Sequence, residues 1–247
     1  MAVAVTDAGA RKRVFYVGMA VTLLLVVAAG FLPGYYDRAL GAEPLPGFVH
    51  VHAAFFALWM ALLIVQAGLV AAERTSLHRR LGTAAALLVP VMLVLGYRTA
   101  IFGARRGHPF WSAPDQPPPN AALPFADSLA FLIVPLGDLV LFTGFIAAAL
   151  HYRKRPDVHK RLMVLGTIGG MLWPAVTRVP YIAGNTLPMF GVLIAVLAAC
   201  LAHDVLTRGR AHIVNVLGAT VIIASFPLRR WLGTTQAWHD LAAWLTR

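Results

Sequence analysis

The sequence predicts an all-α fold, a polytopic transmembrane bundle of about seven helices that forms a single domain over residues 1–247. Composition is the first reason, because 59% of the residues are hydrophobic and only 13% are charged, whereas soluble domains carry about 25% charged residues. The second is the presence of seven apolar stretches, each close to the roughly 20 residues that a helix needs to cross a bilayer. Short basic connections between these stretches predict antiparallel helical hairpins.

The apolar stretches define each span in turn. We predict spans near 13–33, 48–71, 81–103, 125–150, 162–183, 187–206 and 212–228. The longest connection, 104–124, contains three consecutive prolines and is too polar to lie in lipid, so it is predicted to be an outer lid or partner surface. After the last span, Trp238, Leu241 and Leu245 recur at helical spacing, which predicts an interfacial helix over 233–247.

Charge predicts the orientation of the chain. The formal net charge is +11, and most Lys and Arg residues precede the first span or lie between spans two and three, four and five, and six and seven. The positive-inside rule then places the N-terminus in the cytoplasm. The predicted partners are anionic lipid headgroups and not nucleic acid. The sequence is also compatible with assembly into a homo-oligomer or a larger membrane complex. The single cysteine, Cys200, excludes a disulfide framework within one chain.

A repeated pattern links the three hairpins. A histidine begins the second helix of each hairpin, at His78, His159 and His212, and the spacing from His159 to Pro174 equals that from His212 to Pro227. Gly-Thr follows the first histidine at 82–83 and the second at 166–167. This pattern predicts internal duplication, a common construction in membrane carriers.

Two segments carry a resemblance to a known group of proteins. The segment 50–82, HVHAAFFALWMALLIVQAGLVAAERTSLHRRLG, and the segment 159–167, HKRLMVLGT, resemble uncharacterised bacterial multi-pass membrane proteins with histidine-arginine helical hairpins. The resemblance implies a bacterial inner (plasma) membrane protein and brings no residue roles. There is a fainter likeness to bis-histidine haem bundles, although those place paired histidines well inside the spans and this chain has them near the span ends.

Histidines dominate the predicted inner layer. Imidazole and carboxylate are ligands for zinc, copper and iron, and haem accepts axial histidines, so convergence of three or four of these side chains would make a haem b or divalent-metal site. The alternative is that they are interfacial contacts beside the positive-inside anchors. The candidate ligands are His78, His151, His159, His203 and His212, with Asp204 as a metal ligand.

A second polar layer is predicted near the outer face. Arg98 and Arg178 lie a few residues inside their spans, where a charge is costly unless it reaches the headgroups or finds a partner. Asp127 is the candidate partner at that depth, and with Arg178 it would form an outer gate pair. Alternatively, both arginines reach the headgroups and Asp127 caps its helix.

Between the layers, Asp138 is the ionisable residue closest to mid-membrane. A carboxyl group there is expected to be protonated, paired, or part of a proton or cation path. On the second span, His52, Trp59 and Gln66 recur every seven residues and form a semi-polar stripe. The two features together predict a pathway, with ordinary packing as the alternative for Trp59.

Three classes of function follow from these observations. The favoured interpretation is a haem- or metal-binding redox protein that uses the inner histidines. The second is a proton-coupled transporter or channel that uses Asp138, with His203 and Asp204 as its inner exit, and the third is a structural or assembly subunit. Phosphate-binding loops, nucleophile elbows and zinc-protease motifs do not occur in the sequence, so enzymatic activity is left open.

Overall fold

The computed structural model describes residues 2–39, 45–106, 127–182 and 185–247, and every regular element among them is helical. The all-α prediction is therefore confirmed for this part of the chain. The helices are α1 (Ala2–Ala39), α2 (Gly47–Ala71), α3 (Thr75–Ala85), α4 (Leu88–Arg105), α5 (Ser128–Phe131), α6 (Ile133–His151), α7 (Pro156–Thr167), α8 (Trp173–Val176), α9 (Thr186–Arg208), α10 (Ile213–Gly233) and α11 (Gln236–Leu245).

Six helical segments among the described residues are long and apolar enough to cross a membrane. They match six of the seven predicted spans to within a few residues, except that α3 and α4 act as one longer segment. These segments are Val14–Tyr36, Gly47–Ala71, Thr75–Arg105, Ser128–His151, Thr186–Arg208 and Ile213–Gly233.

The predicted span 162–183 is not among the six, because its helix is interrupted. A π-helical turn, Ile168–Leu172, joins α7 to α8, and the helical part ends at Val176. The first turns of α7 are also polar. The segment therefore lacks a continuous apolar α-helix of span length. This segment is nevertheless one of the most buried of the bundle, with most side chains from 161 to 177 inaccessible. π-Turns occur mostly as single turns inside longer helices, and often at functional sites. The turn at Ile168–Leu172 is of this kind.

Helices α6 and α7 form the centre of the bundle and pack densely against each other. Around them lie α4 and α10 beside α6, and α1 and α10 beside α7, while α2 packs between α1 and α4. Three short connections lie at the same end, which we call the basic end, and they comprise residues 72–74, 152–155 and 209–212. The opposite end carries α5 and α11.

Two predicted boundaries need correction. The seventh span was expected to end at residue 228 before two arginines, but α10 continues to Gly233, so Arg229 belongs to the helix and is only 6% exposed. The predicted interfacial segment 233–247 forms α11, which covers less of the chain. The predicted outer loop 104–124 lies outside the described residues from 107 onward.

The short helix α11 lies across the opposite end. Trp238 donates from its indole N–H to the Leu129 carbonyl at 2.9 Å, and Ala242 is fully buried against α5 and the end of α4. Leu241 and Trp244 are 46% and 63% exposed on its other side. Trp238 and Leu245 therefore pack against the bundle, whereas Leu241, the third residue of the predicted apolar spacing, lies on the exposed side.

Candidate functional site

Two buried ion pairs are the main polar features inside the bundle. The first joins Arg161 of α7 to Asp204 of α9, and these residues are 2% and 0% exposed. We call it the basic-end pair, since Asp204 lies four residues before the end of α9, a depth of about 6 Å at 1.5 Å per residue.

The Asp204 carboxylate is saturated with hydrogen bonds. Arg161 donates to both of its oxygens, from Nε at 3.1 and 3.2 Å and also from Nη2. The backbone N–H of His212 donates at 3.2 Å and the Asn215 amide at 2.8 Å, both to Oδ2. This carboxylate thereby ties α7, α9 and the start of α10 together, and it is the residue for which a metal-ligand role was predicted.

The second pair joins Asp138 of α6 to Arg229 of α10, and these residues are 4% and 6% exposed. We call it the central pair. Arg229 Nη1 donates to Asp138 Oδ1 at 2.6 Å and to the Val134 carbonyl at 3.0 Å. Asp138 accepts this one hydrogen bond among the described residues. It lies ten residues from Ser128 and thirteen from His151, the two ends of its segment.

The Arg229 side chain runs inward from its helix end. Its Nε donates to the Ser225 carbonyl at 3.3 Å and its Nη2 to the Ser225 hydroxyl at 2.9 Å, one turn deeper in α10. Arginines near helix ends normally extend outward to the headgroups, so this direction is unusual. Gly137 makes room for it, because a Cβ at Gly137 would overlap Arg229 Cδ.

Further polar groups surround the central pair. The guanidinium group of Arg178 interacts electrostatically with Asp138, and it also donates to the Pro174 carbonyl and lies 4.8 Å from the Phe31 ring centre. His52 lies within electrostatic range of Arg178. Two buried polar atoms have no hydrogen-bond partner among the described residues, and they are His52 Nδ1 and Thr99 Oγ1. Buried polar atoms are rarely left unpaired, so a water or a ligand is expected beside them.

Two residues of the predicted stripe on α2 contact different neighbouring helices. Trp59 donates from its indole N–H to the Thr167 hydroxyl of α7 at 3.3 Å. The Gln66 amide oxygen accepts from the Gly82 N–H at 2.9 Å, and its nitrogen donates to His78 Nδ1 at 2.5 Å. Trp59 and Gln66 therefore face other helices.

His78 and His159 lie close together at the basic end. The side-chain amide of Gln66 contacts His78 Nδ1 at 2.5 Å. His159 lies 2.8 Å from the Ala149 carbonyl through Nδ1, so its hydrogen is on Nδ1 and its Nε2 is an acceptor. The two ring centres are 6.3 Å apart. The two imidazoles are therefore neighbours with different hydrogen-bond partners.

The other inner histidines have separate surroundings. His203 stacks on Phe15 with ring centres 3.8 Å apart, and His151 lies edge-on to Tyr152. His212 caps α10 by accepting from the Val214 N–H at 3.2 Å. Burial and the nearby guanidinium groups of Arg161 and Arg208 lower the pKa of His212, in keeping with a neutral, accepting imidazole.

The predicted convergence of these histidines on a haem or metal is not supported. Within the described ranges, no group of three His, Cys, Asp or Glu side chains is arranged to hold a metal ion. The physical reason is that the three repeat histidines make three different contacts. His78 accepts from Gln66, His159 donates to a carbonyl, and His212 caps a helix.

The outer layer also differs from its prediction. Asp127 accepts from the Ala130 N–H at 2.8 Å as the cap of α5, and it lies 3.9 Å from His239 of α11. Arg98 lies 5.1 Å from the Phe48 ring centre. The capping role is the alternative that the sequence had left open, and neither contact of Asp127 is with an arginine.

Three buried residues were missed as site residues by the sequence analysis. These residues are Arg161, Arg229 and Asn215, and the sequence analysis assigned no partner to any of them. One signal was available: Asp138 and Asp204 lie inside apolar spans and each needs a cation. The sequence does not state which arginine that is.

Comparison with known proteins adds no identity to this geometry. No protein-family model, curated protein or solved structure matches the chain. Its function must therefore be inferred from its own residues.

Proposed function

We propose that this chain conducts protons across the bacterial inner membrane, as a channel or a transporter, with Asp138 as the protonatable site. The proposal includes seven spans, a cytoplasmic N-terminus and three duplicated hairpins. Its basic end, with connections 72–74, 152–155 and 209–212, then faces the cytoplasm. The observation that carries the proposal is the inward-directed central pair between Asp138 and Arg229.

The position of the pair supports a functional role. Charged side chains inside a membrane are costly, and they commonly mark ion or proton pathways. A buried pair also stabilises a fold poorly, because the cost of removing both charges from water offsets their attraction. Arg229 could have extended towards the opposite end from the last turn of α10, and instead it reaches Ser225 and Asp138. A purely anchoring role does not account for this direction.

The hydrogen bonds of Arg229 support a reversible mechanism. A proton that binds Asp138 removes the negative charge and weakens the ion pair, and its release restores the pair. Arg229 also donates to Val134 and Ser225, and these bonds do not depend on the charge of Asp138, so they can hold the guanidinium group in place while the carboxyl group changes charge. The change in attraction between α6 and α10 can then drive a shift between two arrangements of these helices.

Polar groups on both sides of the pair support a route for the proton. Towards the basic end lie Trp59 with Thr167, and then Gln66 with His78. Towards the opposite end, His52 Nδ1 and Thr99 Oγ1 have no described partner and are suitable places for bound water. Water joining these groups would complete a path through Asp138.

Proton flux in liposomes tests the proposal. Purified protein is reconstituted with a pH-sensitive dye inside, and a potassium diffusion potential drives protons across the membrane. We expect flux above that of protein-free liposomes for the wild type, and flux equal to that of protein-free liposomes for Asp138→Asn. Asp157→Asn is the matched control, since Asp157 forms a half-exposed pair with Arg208 at the basic end, and it is expected to conduct like the wild type.

Two results would overturn the proposal. One is wild-type flux no greater than that of protein-free liposomes. The other is unchanged flux in a folded Asp138→Asn variant, with folding checked by thermal unfolding of the same preparation.

A further inference from the structure

A cleft at the basic end lies between α7 and α9 and has no part in the proposed proton route. Its volume is about 380 Å³, and it is partly open to the surroundings. Its lining is polar and comprises Asp157, Lys160, Arg161, His203, Thr207 and Arg208. A cleft with this lining suits a small charged group better than an apolar one.

The charges in the cleft do not cancel. Arg161 is neutralised by Asp204. Arg208 is neutralised by Asp157, with Arg208 Nη1 3.3 Å from Asp157 Oδ2. Lys160 is the remaining cation, and among the described residues no carboxylate lies within ion-pair distance of its ammonium group, which sits 4.9 Å from the Tyr16 ring centre. The cleft therefore has one positive charge in excess.

The donors suit a phosphate group. Lys160 offers up to three N–H donors, and the half-exposed guanidinium group of Arg208 can move from Asp157 to a phosphate oxygen. The Thr207 hydroxyl donates its hydrogen to the His203 carbonyl at 2.7 Å. Lys160 and Arg208 are therefore the donors left for a phosphate oxygen. Several donors at one cleft are what a phosphate oxyanion requires.

Exposed apolar side chains occur on α9 and α1, close in sequence to residues of the cleft. Val205 and Leu206 of α9 are 48% and 85% exposed, and Val14 of α1 is 64% exposed. Val205 and Leu206 lie between His203 and Thr207 of the cleft lining, and Val14 precedes Phe15, whose ring stacks on His203. A ligand with a phosphate group and hydrocarbon chains would place its phosphate in the cleft and its chains along these side chains.

We propose that the cleft binds the phosphate group of an anionic lipid, with Lys160 as the residue that distinguishes anionic from zwitterionic headgroups. Free phosphate has the same donor requirements but gains nothing from the adjoining apolar surface. The proposal is independent of proton transport, because none of the lining residues belongs to the central pair.

Lipid-dependent thermal unfolding in detergent tests the proposal. The unfolding temperature is followed while phosphatidylglycerol, phosphatidylcholine or inorganic phosphate is added, and each titration gives an apparent dissociation constant. We expect stabilisation by phosphatidylglycerol, a weaker effect of phosphatidylcholine and none of inorganic phosphate. Lys160→Gln is expected to weaken the phosphatidylglycerol effect about tenfold, in line with the loss of one charge-assisted hydrogen bond.

The control variants separate the cleft from general surface charge. Lys154→Gln removes an exposed lysine from the adjacent connection and is expected to bind like the wild type. Lys160→Arg keeps the charge and is expected to bind within a small factor of the wild type. The proposal is overturned if Lys160→Gln binds phosphatidylglycerol normally, if Lys154→Gln is equally impaired, or if phosphatidylcholine binds as well. Stabilisation by inorganic phosphate would overturn the assignment to a lipid and leave soluble phosphate as the ligand.

Discussion

The two buried ion pairs use the same chemical groups in opposite ways. In the basic-end pair, Arg161 runs outward along α7, where its Nη1 donates to the Asp157 carbonyl at 2.6 Å, and it meets a carboxylate with further donors around it. In the central pair, Arg229 runs inward along α10 and meets a carboxylate that accepts one described hydrogen bond. The first pair acts as a structural clamp between helices. In the second pair, loss of the Asp138 charge is expected to cost less stability.

Burial alone does not distinguish the two carboxylates. Asp204 and Asp138 are both almost inaccessible. They differ in the number of N–H groups that donate a hydrogen bond to the carboxylate. Four groups donate to Asp204, counting the Nε and Nη2 of Arg161 separately, and one donates to Asp138.

Replacement of Asp204 by asparagine is expected to give the largest loss of stability. Both carboxylate oxygens accept N–H groups, so the amide nitrogen introduced by Asp204→Asn would face a donor in either orientation. Loss of one partner from a buried pair costs about 3 to 5 kcal/mol. Thermal unfolding in detergent should place this variant far below Asp157→Asn, which alters a half-exposed pair worth about 0 to 1 kcal/mol. Equal unfolding temperatures would contradict the clamp.

An alanine at Gly137 is expected to give the next largest effect. The added methyl group overlaps Arg229 Cδ and must displace the guanidinium group or separate α6 from α10. Overpacking of this kind costs about 1 to 3 kcal/mol. Gly144→Ala is the matched control, seven residues along the same helix and with nothing within 4 Å of the added atom. If both variants unfold together with the wild type, the close approach of Arg229 to Gly137 is wrong.

Replacement of Asp138 by asparagine is expected to cost less than the same change at Asp204. In Asp138→Asn, the amide oxygen can still accept from Arg229, and the amide nitrogen can occupy the other position, where no described donor lies. We expect a difference of a few kcal/mol between the two isosteric variants, because only Asp204→Asn leaves buried donors facing each other. Chemical or thermal unfolding of both proteins checks this order, and the reverse order would exchange the two roles.

The sequence predicted the helical bundle well and the pairing of its charges poorly. Apolar length gave six segments within a few residues, because burial of backbone groups in lipid permits few other solutions. It did not give the partners of Asp138 and Asp204, since helix rotation decides which arginine faces each carboxylate. The predicted end of the last span at residue 228 also excluded Arg229, the partner of Asp138, from the membrane.

The histidines illustrate the same limit. His78, His159 and His212 occupy equivalent positions in the sequence pattern, and this equivalence favoured a shared site. In the structure their contacts differ, because Gln66, Ala149 and Val214 are not equivalent in the three hairpins. Sequence spacing reports the axial level of a residue and not the direction of its side chain.

The smallest expected effect is a pH dependence from His212. Its pKa is lowered in the folded state, so the unfolded chain binds more protons when the pH falls through the ordinary histidine range. Stability contributed by neutral His212 is therefore present at higher pH and is lost as the pH falls below about 6.5. In His212→Asn, which keeps a capping side chain without the titration, the decline in unfolding temperature should be shallower. An unchanged decline would assign the pH dependence to other groups.

Proton flux of two doubly neutral variants tests the central claim most directly. Arg161→Gln/Asp204→Asn removes both charges of the basic-end pair, and Asp138→Asn/Arg229→Gln removes both charges of the central pair. Neither variant therefore keeps one charge of its pair without the other. In liposomes, the first variant is predicted to conduct protons like the wild type whenever it folds. The second is predicted to fold and to conduct no better than protein-free liposomes. Normal flux in the folded central-pair variant would contradict the account.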